Sequence, residues 1–474
     1  MKIDLHERSK TIPFWMLCIC MTYAVFFGTA VFLHIGYISL WHVVIAAMLM
    51  TAIPLVIRDY KSIFTNTHVH ILVAFGVWLV ISAVIGYNNA HTVAYIIRDV
   101  KCFAYLAMFP IMQCIIRNKA QLKLLLGFVM YASFALSVLT CFFMLAYILF
   151  PSIFDVMLRF FLRFDFINFT QVSDKIARIL FVSTPFQLFS CAVPFYFQIK
   201  NKKFAWFYPF VTGAGLFSIL ITYTRALYLA AFVAAMAVVA FSLVAAGRRK
   251  RPQVWLHIGA SVAVMLAITL SFSVVAKFNY MGYAVQRVAV TGQQQEYYNS
   301  HTKDEKSGDD SKDNFDGDVP EITIPEFDDG DSYLDATKAS DAIREGLKTG
   351  LIKEIKKAPI IGNGLGLTIA GRESLPELFI YDLIAKTGVI GLLLYLSPLF
   401  IAFVVSLGSI KNHLHCLELY IWGSCVLGLF VYSCFQPYMN NAPCMMIYSC
   451  LMCISQLQKK DFKKKNGRIR LKYE

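Results

Sequence analysis

An all-α membrane protein of about twelve transmembrane helices, with one large extracytoplasmic loop between the ninth and the tenth, is the fold class this sequence predicts. Three observations lead there. The 474 residues are 58% hydrophobic and only 16% charged, whereas a soluble globular domain is roughly half apolar and a quarter charged. The apolar residues gather in runs of about 20, the length that crosses a ~30 Å hydrocarbon core as a helix. Lys and Arg collect in alternate connecting segments, which is the asymmetry that orients membrane helices.

The runs fall at about 12–33, 38–57, 69–86, 100–116, 122–150, 179–199, 204–223, 226–246, 253–275, 379–406, 417–435 and 441–457. The first follows Lys2, Arg8 and Lys10 and lacks a small-residue cleavage site, so it reads as a retained helix rather than a signal peptide. The run at 122–150 is long enough to tilt or kink. With the N-terminus inside, the inner segments hold 24 of the 44 basic residues. Of the outer 20, 12 lie in the single loop 276–378, and long loops count little in this rule. The C-terminal tail, with Lys459, Lys460, Lys463, Lys464, Lys465, Arg468, Arg470 and Lys472, is the strongest vote for a cytoplasmic terminus and would anchor near anionic lipid. The organisation is therefore 1–275 with helices one to nine, the loop 276–378, helices ten to twelve in 379–457, and the tail 458–474.

Two outer segments are large. Residues 151–178 mix aromatics and charges (Arg159, Phe160, Phe161, Arg163, Phe164, Asp165) and suit an interfacial amphipathic helix. The loop 276–378 contains an acidic insertion, 303–335, with 13 Asp or Glu against 3 Lys. Its composition predicts disorder. A helical pattern returns near 339–357.

Several function classes are excluded. A net charge of +14 would suggest a polyanion partner in a soluble chain, but topology accounts for it here, and no nucleic-acid or zinc motif is present. Cys444, Cys450 and Cys453 lie in an apolar run and read as small packing residues. An EF-hand loop needs an acid five residues before its glycine; Lys312 precedes Gly317 and Pro325 precedes Gly330 at that distance, so the pattern fails. The Gly362-Asn363-Gly364-Leu365-Gly366 stretch follows a helix rather than a strand, which rules out a dinucleotide fingerprint. It reads instead as a turn that returns the chain to the membrane surface. No internal repeat is visible. No cofactor or metal is expected.

Charged residues near membrane helices are costly, so they are the functional candidates. Arg225 is the one charge between Phe204 and Gly247; as a bland alternative it would snorkel at an interfacial turn. Arg178 stands at the predicted start of helix six, and Arg344 lies in the helical part of the loop. Glu377, Asp382 and Lys386 fall at the outer mouth of helix ten, with Glu377 and Tyr381 on one face.

The order of these features resembles the O-antigen ligase and O-antigen polymerase superfamily of bacterial membrane glycosyltransferases. The resemblance rests on Thr224-Arg225, the helical segment from Arg344, the turn Pro359-Ile360-Ile361-Gly362-Asn363-Gly364, the close Gly388-Val389-Ile390-Gly391, and the helix count with its outer loop. Each motif is short; their order and spacing, over about 175–395, carry the specificity. The ligase pattern has His-Asn eleven residues before the glycine corresponding to Gly388. Glu377-Leu378 stands there in this chain, and Lys386 replaces a later Glu. That departure favours a polymerase.

The resemblance implies an enzyme of the bacterial cytoplasmic membrane, with both termini cytoplasmic, that joins polyprenyl-diphosphate-linked glycan units at the outer face. Its partners would be that lipid-linked glycan, membrane lipid and a chain-length regulator. Arg178, Arg225 and Arg344 would bind the donor diphosphate, since guanidinium forks fit phosphate oxygens and can take the place of a metal. Arg225 would also stabilise the departing diphosphate, and Glu377 would accept the proton of the attacking hydroxyl. A ligase, a flippase or transporter, and a non-catalytic scaffold are the rival readings. A transporter should show related halves and midplane charges, whereas the charges that stand out here are at the outer rim.

Overall fold

The computed structural model describes residues 5–28, 34–35, 38–173, 176–201, 203–285, 333–369, 378–408, 416–436, 438–439 and 441–470. The chain runs through α1 (Leu5–Phe27), a two-residue hairpin, α2 (Leu40–Phe64), α3 (Thr67–Asn88), α4 (Val93–Ala104), a single 3₁₀ turn, α5 (Met108–Ile115), α6 (Lys119–Leu149) and α7 (Pro151–Leu162). The strands β1 (His34–Ile35) and β2 (Ile38–Ser39) form that first hairpin, and β3 (Ile167–Ser173) with β4 (Ile176–Phe181) form a second after α7. Then follow α8 (Leu188–Lys200), α9 (Phe207–Leu220), α10 (Arg225–Gly247) and α11 (Lys250–Ala276). The rest is α12 (Tyr333–Lys357), α13 (Phe379–Gly408), α14 (Leu417–Ser433) and α15 (Ala442–Arg470).

Among the described residues six helices are long and apolar enough to cross a membrane: α2, α3, α6, α10, α11 and most of α13, over Phe379–Ser406. Shorter apolar helices cover Thr11–Phe27, Phe207–Leu220 and Leu417–Ser433. This is a multi-pass, mainly helical membrane protein. Met50, Val80, Leu270 and Phe400 are largely exposed, as lipid-facing side chains would be. In contrast α14 is buried almost all round, the pattern of a helix enclosed by others. It packs against α8 through Trp422 and Phe189, whose ring centroids lie 5.2 Å apart, and donates from Trp422 Nε1 to Ile447 O on α15 at 2.9 Å.

The helix ends meet in two sets. At one end Arg117 bridges Asp59 at 2.6 Å, Lys250 donates to the carbonyl oxygens of Ile199 and Asn201, and the buried Glu418 accepts from Tyr196 Oη at 3.1 Å. At the other, loop-bearing end, Ser183 Oγ donates to Phe26 O, Tyr438 Oη donates to Val182 O, and the turn after α12 packs on the end of α3.

Three sequence expectations change. Helix four, expected over 100–116, starts earlier and is divided into α4 (Val93–Ala104), a 3₁₀ turn and α5 (Met108–Ile115). Helix six was expected from residue 179; instead Arg178 to Phe181 belong to β4, a 3₁₀ turn covers Thr184–Gln187, and α8 begins at Leu188. Ile176, Ala177, Ile179, Leu180 and Phe181 satisfy a hydropathy window equally as helix or strand. The partner strand β3 decides, pairing Thr170 with Arg178 and Phe169 with Ile179. The 3₁₀ turn is fastened to α6 by Gln187 Nε2 donating to Thr140 Oγ1 and Ser133 Oγ donating to Phe186 O, both at 2.8 Å. The segment 151–178 forms its amphipathic helix only over α7.

All twelve cysteines are buried or half-buried thiols. A membrane-impermeant maleimide should therefore label the unaltered protein slowly. It should label Thr92→Cys and Thr65→Cys rapidly, but from opposite faces of sealed vesicles. Labelling of both from one face would overturn the assignment of helix ends.

Candidate functional site

Two polar centres are built at the loop-bearing end. The first starts from a break in α13. Gly388 has φ 67°, a region that L side chains avoid, and a Cβ there would collide with the carbonyl of Ile360. The break strips the carbonyls of residues 385–387 of their helical partners, and an unmet backbone carbonyl is expensive at membrane depth. The turn 358–366 supplies the donors: Asn363 N reaches Ala385 O at 2.8 Å and Gly364 N reaches Lys386 O at 3.0 Å. Trp78 Nε1, from α3, reaches Thr387 O at 2.8 Å. In return Val389 N and Ile390 N donate to Pro359 O and Ile360 O.

The same turn is sewn to α3 and α4. Leu365 N donates to Ser82 O at 2.9 Å, Asn89 Nδ2 donates to Asn363 O at 2.8 Å, and His91 Nδ1 lies 2.9 Å from Leu365 O. Gly364, at φ 94°, lies so close to Gly86 that a Cβ on it would overlap that backbone. Gly366 N donates to Asp99 Oδ2 at 2.8 Å. The other carboxyl oxygen of Asp99 lies 3.1 Å from Lys386 Nζ, and Lys386 also pairs with Asp382 at 2.9 Å. All three side chains are buried. A cavity of about 10 Å³ touches them, walled by Cys102, Phe103, Leu365 and Phe379.

The sequence placed Asp382 and Lys386 at the outer mouth of helix ten; the structure buries them in this knot and adds Asp99. Asp99 was missed because α4 starts at Val93 rather than at residue 100. The signal was present: Arg98, Asp99 and Lys101 stand next to an apolar run, where ionisable residues are expensive. The turn 358–366 is an internal plug between three helices, not merely a return to the surface.

The second centre lies around the reversal from α9 to α10. Tyr223 is fully buried with φ 51°, a rare conformation for a bulky residue and one that concentrates at functional sites. Its ring is 4.9 Å from that of Tyr283. One aromatic cluster holds Tyr223 and Tyr280 together with Phe143, Phe154, Phe166, Phe181 and Ala177. It thus joins the end of α6, α7, the β3–β4 hairpin, the α9–α10 reversal and the chain just after α11. Burial pushes the hydroxyl of Tyr280 above its ordinary value.

Arg225 opens α10 directly after this reversal, with no acid in the first turn and no side-chain cap. A cation there adds to the positive end of the helix dipole instead of offsetting it. That disfavours the helix and favours an anion bound at its end. Arg178 lies on β4, with Ala177 and Ile179 on either side directed into the cluster and Arg178 itself half-buried on the opposite strand face. The structure therefore gathers the segments of Arg178 and Arg225 around one aromatic cluster. Arg344 lies on α12 in a separate packing unit, in which Leu347 and Leu351 meet Ile369, Leu378 and Ala385. Glu377 and residues 303–332 of the acidic insertion lie outside the described residues. Among the described residues no group of three His, Cys, Asp or Glu side chains could hold a metal ion.

Removing one member of a buried ionic cluster leaves charge unpaired, which costs about 3–5 kcal/mol. Lys386→Met should lower the thermal unfolding midpoint of the detergent-purified protein markedly, and Asp99→Asn on that background should recover part of the loss. A Lys386→Met loss below about 1 kcal/mol, the scale of an exposed pair, would show that the knot is solvated.

No protein family's sequence profile matches the chain, and no curated protein is similar to it.

Proposed function

We propose that the protein polymerises polyprenyl-diphosphate-linked oligosaccharide repeat units into a surface polysaccharide, at the outer face of a bacterial cytoplasmic membrane. The observation that carries this reading is Arg225 at the start of α10, beside the strained, buried Tyr223 and the hairpin of Arg178, around one aromatic cluster. Cationic and hydroxyl donors around one end of the bundle suit a group whose negative charge grows during reaction. The motif order from Arg178 to Gly391 supports the same assignment. In this reading the apolar runs make twelve spans, both termini are cytoplasmic, and the loop after α11 covers the site.

The chemistry follows from the groups. The acceptor hydroxyl oxygen attacks the anomeric carbon of the donor sugar. The bond from that carbon to the diphosphate oxygen breaks, and its electron pair leaves with the polyprenyl diphosphate. Arg225 and Arg178 hold the growing charge, with Arg344 brought from α12. The hydroxyl proton passes to Glu377. Fixed donors aimed at developing charge contribute about 10²–10³-fold each, and a planar guanidinium engages two phosphate oxygens where an ammonium engages one point.

Arg225→Ala should shorten surface polysaccharide chains drastically at matched membrane expression, with about a 10²–10³-fold loss of rate in a purified assay. Arg225→Lys should retain only part of the activity. Normal polymer from Arg225→Ala would overturn the reading, and single transfer of finished glycan without chain growth would turn it into a ligase.

A further inference from the structure

The short helix α7 is apolar on two sides, and the bundle covers only one of them. Phe154 is buried, and Met157, Leu158 and Phe161 pack with it on the aromatic cluster. The Phe154 ring lies 5.0 Å from that of Tyr147 and 5.2 Å from that of Phe169. Ile153, Val156 and Phe160 form a second stripe at i, i+3 and i+7. All three are exposed, Val156 by 71%. Yet α7 has 12 residues, about 18 Å at the helical rise, too short to cross a ~30 Å hydrocarbon core. Lipid contact along a span therefore does not account for the second stripe.

Depth and charge choose what covers it. α6 has 31 residues, about 46 Å at the helical rise, against ~40–45 Å for a bilayer with its headgroups. It starts beside Arg117, at the opposite end of the bundle, and Pro151 opens α7 directly after it. The start of α7 thus lies at headgroup level. Arg159 and Arg163 stand one turn apart, Arg163 being the C-cap with a backbone that is still helical. At 3.6 residues per turn both border the exposed stripe on the side away from the buried face. Both are exposed, and neither forms an ion pair among the described residues. Asp155, one turn before Arg159, is not paired with it either. A second copy of this chain seated on the stripe across a two-fold axis would bring arginines against the same arginines, which like charge disfavours. A free phosphate would leave the apolar stripe uncovered. An anionic phospholipid satisfies both, with acyl chain below and phosphodiester above.

We propose that α7 is a docking surface for anionic phospholipid of the adjacent leaflet. Ile153, Val156 and Phe160 enter the acyl boundary, while Arg159 and Arg163 hold the headgroup phosphate. The other face of α7 packs on the cluster that contains Tyr223 and the hairpin of Arg178, so the lipid surface steadies that corner. The proposal does not depend on the glycan reading.

The test uses full-length Val156→Cys carrying a nitrobenzoxadiazole label, reconstituted into phosphatidylcholine nanodiscs. The native thiols are buried or half-buried, so the label goes to position 156. Brominated phosphatidylglycerol or brominated phosphatidylcholine is then titrated in as quencher. Half-quenching should need at least about fivefold less phosphatidylglycerol, the scale of one arginine at an anionic surface. Arg159→Gln with Arg163→Gln should bring the two lipids to parity, and Arg159→Lys with Arg163→Lys should keep most of the preference. Lys277→Gln, an exposed charge at the same end, should leave it unchanged, as should millimolar inorganic phosphate. Ile153→Cys repeats the measurement should Val156→Cys fail to fold. Quenching by neither lipid overturns the proposal, because α7 then stands clear of the bilayer or is covered by protein. Equal quenching by both lipids with the arginines intact overturns it too, and so does loss of the preference to inorganic phosphate, which would mark a bare anion site.

Discussion

At membrane depth a backbone carbonyl has no water to turn to, and that constraint organises the loop-bearing end of this protein. Gly388 interrupts α13 in the one region of φ that ordinary residues avoid, and the carbonyls around it must find donors elsewhere. The turn 358–366 provides them from its own backbone, with Trp78 contributing one more. To do so the turn must lie between α13 and α3, and the close passage of Gly364 over Gly86 is what lets it fit. Asp99 then becomes the cap of the turn's last amide and the partner of Lys386. Three helices distant in sequence are joined because one helix is broken.

Charge is used in two different ways here. In the knot, one ammonium faces two carboxylates away from solvent, an arrangement whose desolvation cost rivals its attraction. Its contribution is positional: it holds α4, the start of α13 and the turn in one register. Around α10 the logic is reversed. Arg225 adds to an unfavourable potential at a helix start, and Tyr223 adds backbone strain beside it. The packing of the hairpin, α7 and the chain after α11 over-determines this corner, so the strain persists.

Both polar centres sit at one end of the bundle, where the hairpin, the helix ends and the turn 358–366 converge. The flank between α3 and α4–α5 is apolar along the depth of the bundle. Phe103 stands between that flank and the knot, so the ionic cluster stays dry on its bilayer side.

Much of the architecture was legible in the sequence, because apolar run length reports the solvent directly. The runs at 38–57, 69–86, 226–246, 253–275 and 379–406 all appear as long apolar helices. Arg225 was legible as a lone charge, and the glycine spacing of 362–366 marked a turn. Hydropathy could not separate β4 from a helix start, since Ile, Leu and Phe suit both, and only pairing with β3 placed Arg178 on a strand. Nor could it join Asp99 to Lys386, which lie 287 positions apart. Composition and periodicity, being local, determined which segments enter the membrane and where charge is costly. Which charges meet was decided by tertiary packing, because a buried ammonium is stable only where carboxylates from another helix reach it.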